Sequence, residues 1–98
     1  MALYKIARSL RRSRLRLAIL KLLCEAGEPL YPALIARAVG ASYENVLGAL
    51  RGLGRRYRRE ESLLGLGLVK EVKVGGQRLY YADEEICKNL EDSLNGLL

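Results

Sequence analysis

Tyr43, Glu44, Asn45, Arg51 and Arg55 have the side-chain chemistry that can read base edges in a DNA groove, and Gly48 among them could let those edges come close. Asparagine can pair bidentately with adenine and arginine with guanine, while glutamate can accept from cytosine. Tyrosine can reach a phosphate or a thymine methyl. These residues fall on the outer side of the run 42–53, where Val46, Leu50 and Leu53 recur at core-facing helical spacing with Ala49 beside them. Ser42 is a good helix N-cap, and its hydroxyl is also a candidate phosphate contact. Glycine inside a helix costs about 0.5–1 kcal/mol against alanine, so Gly48 needs a reason. On the outer face it would let the helix approach DNA closely; packed against another helix it would allow a tight crossing. Gly52 has the same two readings.

A block of arginine follows this run, at Arg55, Arg56, Arg58 and Arg59. Arg56, Arg58 and Arg59, with Arg14 and Arg16 further back, are candidate phosphate contacts. Such contacts give affinity and orientation but no sequence choice.

These side chains must be positioned by the elements around them. Residues 14–26 read as a strong helix, with a stripe of Leu15, Ile19, Leu22 and Leu23 ended by Gly27. Residues 31–39 read as a short second helix, with Pro32 in its first turn and Gly40 beyond its end. Leu63 to Gly67 reads as an apolar, flexible link. Residues 68–74 and 77–82 are strand-like around Gly75-Gly76, a two-residue hairpin turn. That turn sets Val74 opposite Gln77, Lys73 opposite Arg78, Val72 opposite Leu79, Glu71 opposite Tyr80 and Lys70 opposite Tyr81. Val72 and Leu79 then share a face that can cover the helices. Lys73 and Arg78 share the other, where a phosphate could lie between them. Asp83 should cap a last helix over 83–98.

The chain of 98 residues has room for one domain, 1–98. Its charge is uneven. Residues 1–59 hold 13 of the 17 basic residues against three acids, a net +10, whereas residues 60–98 carry −4. A basic body with an acidic tail points to a polyanionic partner, with a solubilising surface as the plainer alternative. No stretch reaches the roughly 20 apolar residues of a membrane span. Cys24 and Cys87 lack metal-ligand spacing and the chain has no histidine, so neither a metal nor a cofactor is expected. Buried free thiols in a reducing compartment are the expectation for the cysteines, with a disulfide as the alternative. An enzyme is not expected, because no phosphate-loop pattern and no nucleophile with a base partner is present.

Three helices followed by a two-stranded hairpin give an α+β, mainly α, winged helix-turn-helix. The run 16–23 (RLAILKLL), the run 34–40 (LIARAVG), Ser42-x-x-x-Val46-x-x-x-Leu50-x-x-Leu53, Gly67-Leu68-Val69 and Leu79-Tyr80-Tyr81 occur in order over residues 14–82. This set resembles the ArsR and PadR-like winged-helix repressors, and most of all small archaeal winged-helix regulators. The resemblance implies a core at 14–82; helical spacing alone gives a basic amphipathic N-terminal segment at 1–13 and a C-terminal helix at 83–98. One departure is clear: residues 54–66 intervene before the Gly-Leu-Val strand. The apolar positions Leu3, Ile6, Leu10, Ile86, Leu90, Leu94 and Leu97 would form a dimer interface. The implied function is sequence-specific binding of double-stranded DNA by a cytoplasmic, nucleoid-associated homodimer that regulates transcription. A protein–protein assembly module and a nonspecific nucleic-acid binder are the alternatives. No membrane contact or small-molecule ligand is indicated.

Overall fold

The computed structural model describes residues 3–53 and 58–97, and the side chains of Ile6 and of residues 8–10, 12–53 and 58–90. Arg55 and Arg56 lie outside the described residues, as do the side chains of Leu3, Leu94 and Leu97. The fold is a mainly helical α+β arrangement. Its elements are α1 (Leu3–Arg12), α2 (Arg14–Ala26), α3 (Pro32–Val39), α4 (Tyr43–Arg51), a 3-10 helix (Arg59–Glu61), β1 (Lys70–Val74), β2 (Gln77–Tyr81) and α5 (Glu84–Leu97). Among the described residues, no helix is long and apolar enough to cross a membrane.

Local chemistry sets the helix ends. Ser13 Oγ accepts from the Arg16 N–H at 3.2 Å at the start of α2. Ser42 Oγ accepts from the Asn45 N–H at 3.1 Å at the start of α4. Asp83 Oδ1 accepts from the Ile86 N–H at 3.3 Å ahead of α5. Each satisfies one of the orphan donors that every helix N-terminus leaves. Gly52 closes α4 at φ 73°, a left-handed backbone, and a Cβ there would run into the backbone of Arg59. This role, a helix cap in tight contact with the following chain, is neither of the two readings made from sequence.

Helices α2, α3 and α4 pack against one another, and α2 also meets α1, α5 and β2. Ile19, Leu20 and Leu23 of α2, Ile35 of α3 and Val46, Ala49 and Leu50 of α4 are almost wholly buried together. Each large apolar side chain buried this way contributes about 1.5–3 kcal/mol. Strands β1 and β2 pair antiparallel in the register expected from the turn, from Lys70 opposite Tyr81 to Val74 opposite Gln77. Gly75 and Gly76 take φ of 58° and 82°, the pair of positive values that a two-residue turn of this hand needs. Leu30, between α2 and α3, forms an isolated antiparallel bridge to Tyr80.

Three expectations need correction. The hairpin turns its Tyr80 face to the core, not its Val72 and Leu79 face. Tyr80 is 1% exposed, and Leu30 exchanges both backbone hydrogen bonds with it at 2.9 Å. The larger ring buries more apolar area than Val72 could, so it takes the inner side. The segment after the 3-10 helix is core, not a flexible link. Leu63 is fully buried, and the N–H groups of Leu63 and Leu64 donate to the Ala49 and Leu50 carbonyls at 3.0 Å. Those carbonyls lie in the last turn of α4, where helices leave acceptors unpaired. The N-terminal segment packs on the rest of the chain, in keeping with the single domain expected. Leu10 is 4% exposed, and Ser9 Oγ donates to the Glu61 carbonyl at 2.8 Å. Finally, the cysteines are not free thiols: Cys24 of α2 and Cys87 of α5 form a disulfide, with their Cα atoms 5.5 Å apart.

Candidate nucleic-acid interface

The capped start of α4 presents Tyr43, Glu44 and Asn45 outward, with Tyr43 54% exposed. They occupy the first turn, where Glu44 also suits the positive end of the helix dipole. Tyr43, Leu47 and Arg51 follow at four-residue steps and form one stripe along α4. This stripe is one wall of an open groove of about 650 Å³. The other walls are Tyr31, Pro32, Leu34 and Arg37 of the α3 region, and Gln77, Arg78 and Tyr80 of β2.

The groove combines apolar side chains with arginine. Tyr31 and Leu34 are 43% and 47% exposed. Arg37 projects from the last turn of α3 and makes no ion pair among the described residues. Arg51 and Arg78 differ, because both meet Glu71 of β1. Arg51 Nε lies 3.7 Å from Glu71 Oε2, and Arg78 Nε lies 3.7 Å from Glu71 Oε1. The Tyr80 phenol is pushed up to about 12, first by burial and then by the hydrogen-bonded Glu71 carboxylate beside it. Both causes disfavour the phenolate. The arrangement therefore offers a capped helix end, aromatic and apolar walls, and three arginines in different electrostatic settings. Anionic, partly planar ligands suit such a surface.

Other sequence-derived candidates are distributed unevenly. Arg58, Arg59, Arg14 and Lys73 are exposed. Lys73 and Arg78 stand opposite one another as expected, but Arg78 leans on Glu71. Ser42 is exposed and caps α4. Gly48 is buried, so it is not on an open outer face. Arg16 is not available to a phosphate. Its guanidinium is 8% exposed, Nη1 donates to Ser9 Oγ at 2.8 Å and to the Ser9 carbonyl at 3.2 Å, and Nη2 lies 3.8 Å from Glu61 Oε2. Two helical steps separate Arg14 from Arg16, enough to turn one outward and the other inward. Leu10 and Leu90 belong to the chain's own core, while Ile6 and Ile86 are half-buried against it. Leu10 and Leu90 are thus covered without a partner.

Tyr31, Leu34, Arg37 and Glu71 were not identified from sequence. Leu34 is one of several apolar residues of α3, and a short helix cannot show which of them lies at the edge of its buried face. Glu71 gave one usable signal: its register position beside Arg78 and opposite Tyr80.

Fold and surface together define a small, mainly helical α+β protein with an arginine-lined groove between a helix pair and a hairpin. The chain belongs to the EarA-like family, which matches residues 6–91. It is similar to an uncharacterised protein of Methanocaldococcus jannaschii, 43% identical over 76 residues, an alignment that covers 76% of this chain and 68% of that relative.

Proposed function

We propose that this protein is a winged helix-turn-helix regulator of transcription that binds double-stranded DNA sequence-specifically as a homodimer, with α4 in the major groove. The observation that carries the reading is the exposed first turn of α4, Tyr43-Glu44-Asn45, standing beside a groove walled by Arg37, Arg51 and Arg78. Recognition helices read bases mainly with their N-terminal residues. The helix order supports a winged helix: α2, α3 and α4 would be the core helices and β1–β2 the wing. The Leu30–Tyr80 bridge ties the link between the first two core helices to the hairpin. The resemblance to ArsR and PadR-like repressors belongs to this reading, as does a cytoplasmic, nucleoid-associated location. Since Leu10 and Leu90 serve the core, the dimer contact would use the outer sides of α1 and α5.

A dimer presents its helices to half-sites about 34 Å apart. Selection of bound duplexes from a random pool should therefore yield a palindromic consensus. If about eight phosphates are contacted, log K should fall with log salt at a slope near −7, from about −0.9 per phosphate. Binding with no enriched sequence would indicate a nonspecific binder. A slope near zero would end the DNA reading. A protein-assembly role is favoured by one observation, the exposed Leu34 in the groove, and would be the reading left if no duplex bound.

A further inference from the structure

Glu71 is an acid at which two arginines from different elements meet, as Glu61 does for Arg12 and Arg16, but it does so beside the groove. Arg51 comes from α4 and Arg78 from β2, each with Nε 3.7 Å from one oxygen of the same carboxylate. The Glu71 side chain is 29% exposed and stands opposite the buried Tyr80 in the β ladder. It therefore sits where the groove meets the hairpin, beside Tyr80 and between the two guanidiniums.

An arginine without a carboxylate is attracted to any phosphate, and that attraction supplies most sequence-independent binding. A resident carboxylate changes this in two ways. It offsets positive charge in the groove and repels a phosphate strand, which weakens binding to every sequence. It also biases the Arg51 fork toward one position, and bidentate reading of a guanine edge gains from such pre-positioning. The first effect falls on all DNA alike, whereas the second returns affinity to the matching sequence. Discrimination through a built-in repulsive element is a common route to specificity. Arg37, with no ion pair among the described residues, has no such restraint and remains a plain phosphate contact.

Resting on the DNA reading above, we propose that Glu71 is a specificity-setting residue of this surface: a resident anion that positions Arg51 and Arg78 and opposes DNA lacking the matching bases. Glu71→Gln removes the charge but keeps an acceptor for Tyr80. Its affinity should be compared with wild type on the selected duplex and on an unrelated duplex of equal length, over a range of salt. Glu25→Gln, the same charge change on an exposed residue of α2, is the control.

Glu71→Gln should tighten binding to the unrelated duplex about tenfold, gain little on the selected one, and steepen the salt slope by about 0.9 per protomer. Glu25→Gln should shift both duplexes equally and by no more than roughly twofold. Glu71→Asp keeps the charge but shortens the reach, and should lower discrimination with the slope unchanged; it carries the test if the glutamine variant does not fold. Equal shifts on both duplexes with Glu71→Gln, or the same effect from Glu25→Gln, would overturn the proposal. A wild-type protein that prefers no duplex would remove the DNA reading and this role with it. A selective wild type with an unchanged Glu71→Gln variant would remove this role alone.

Discussion

Arg16 and Arg51 both lie beside a glutamate, yet the two clusters are built differently. Around Arg16, α1, α2 and the 3-10 helix close over the guanidinium; Ser9 and Glu61 meet its two terminal nitrogens, while Nε is buried without a hydrogen-bond partner among the described residues. Around Arg51, α4 and the hairpin leave the guanidinium 30% exposed, with Glu71 shared with Arg78. A buried charge must keep its partners, because no water replaces them. A half-exposed charge can exchange its partner for another anion at small cost. Residue type is the same in both; the number of elements covering the side chain decides whether it supports the fold or faces a ligand.

The largest test of that contrast is Arg16→Ala. It should lower the unfolding free energy by about 3 kcal/mol in a denaturant titration, since it empties a buried site and strands the buried Ser9 groups, while the half-buried Glu61 loses one of its two arginines. Arg12 would remain near Glu61, at 3.3 Å, and keep part of the charge pairing. A loss below about 1 kcal/mol would make Arg16 no more structural than a surface arginine.

Helix α2 also carries Cys24, so the packed region has a covalent support that the open one lacks. Reducing the disulfide should lower stability by about 2–4 kcal/mol. Denaturation with and without reductant measures this, and Cys24→Ala with Cys87→Ala should abolish the difference.

Arg51→Ala should invert the pattern of Arg16. Stability should change by less than about 1 kcal/mol, while affinity for the selected duplex falls by about 1–3 kcal/mol, with relaxed preference at one base position. If Arg51→Ala unfolded the protein as readily as Arg16→Ala, the two clusters would not differ in kind. Arg37→Ala sharpens the comparison within the groove itself. It should weaken all duplexes alike and reduce the salt slope by about 0.9 per protomer.

The smallest effect concerns pH. Tyr80 has its folded pKa raised from 10.0 to about 12 by burial and then by Glu71. The neutral phenol thus stabilises the fold in full below pH 10, and that contribution is lost as pH rises through about 12. Stability measured across this window should fall more steeply for wild type than for Tyr80→Phe. Equal slopes would mean that Tyr80 ionises as freely in the fold as out of it.

Much of this architecture is legible one residue at a time. Ser42 and Asp83 announce helix starts because a short oxygen-bearing side chain can reach N–H groups only a few residues on. Gly75-Gly76 sets the hairpin register because a two-residue turn leaves a single pairing. Leu63 misled for a comparable reason: among glycines it resembles a link, and its contacts with α4 span a distance that no local pattern reports. Tyr31, Leu34 and Arg37 were missed as groove residues because the groove exists only where α3, α4 and β2 converge.

The sequence by itself determined the helices of 14–53, their caps, the hairpin and its register, and the concentration of positive charge in the first 59 residues. These depend on interactions within a few residues, or on composition. Only the tertiary structure decided which hairpin face turned inward, that Cys24 would meet Cys87 across a separation of 63 residues, that Arg16 would be enclosed while Arg14 stayed exposed, and that Glu71 would stand between Arg51 and Arg78. Each of these depends on elements distant in the chain competing for the same buried space, and periodicity carries no information about which of them prevails.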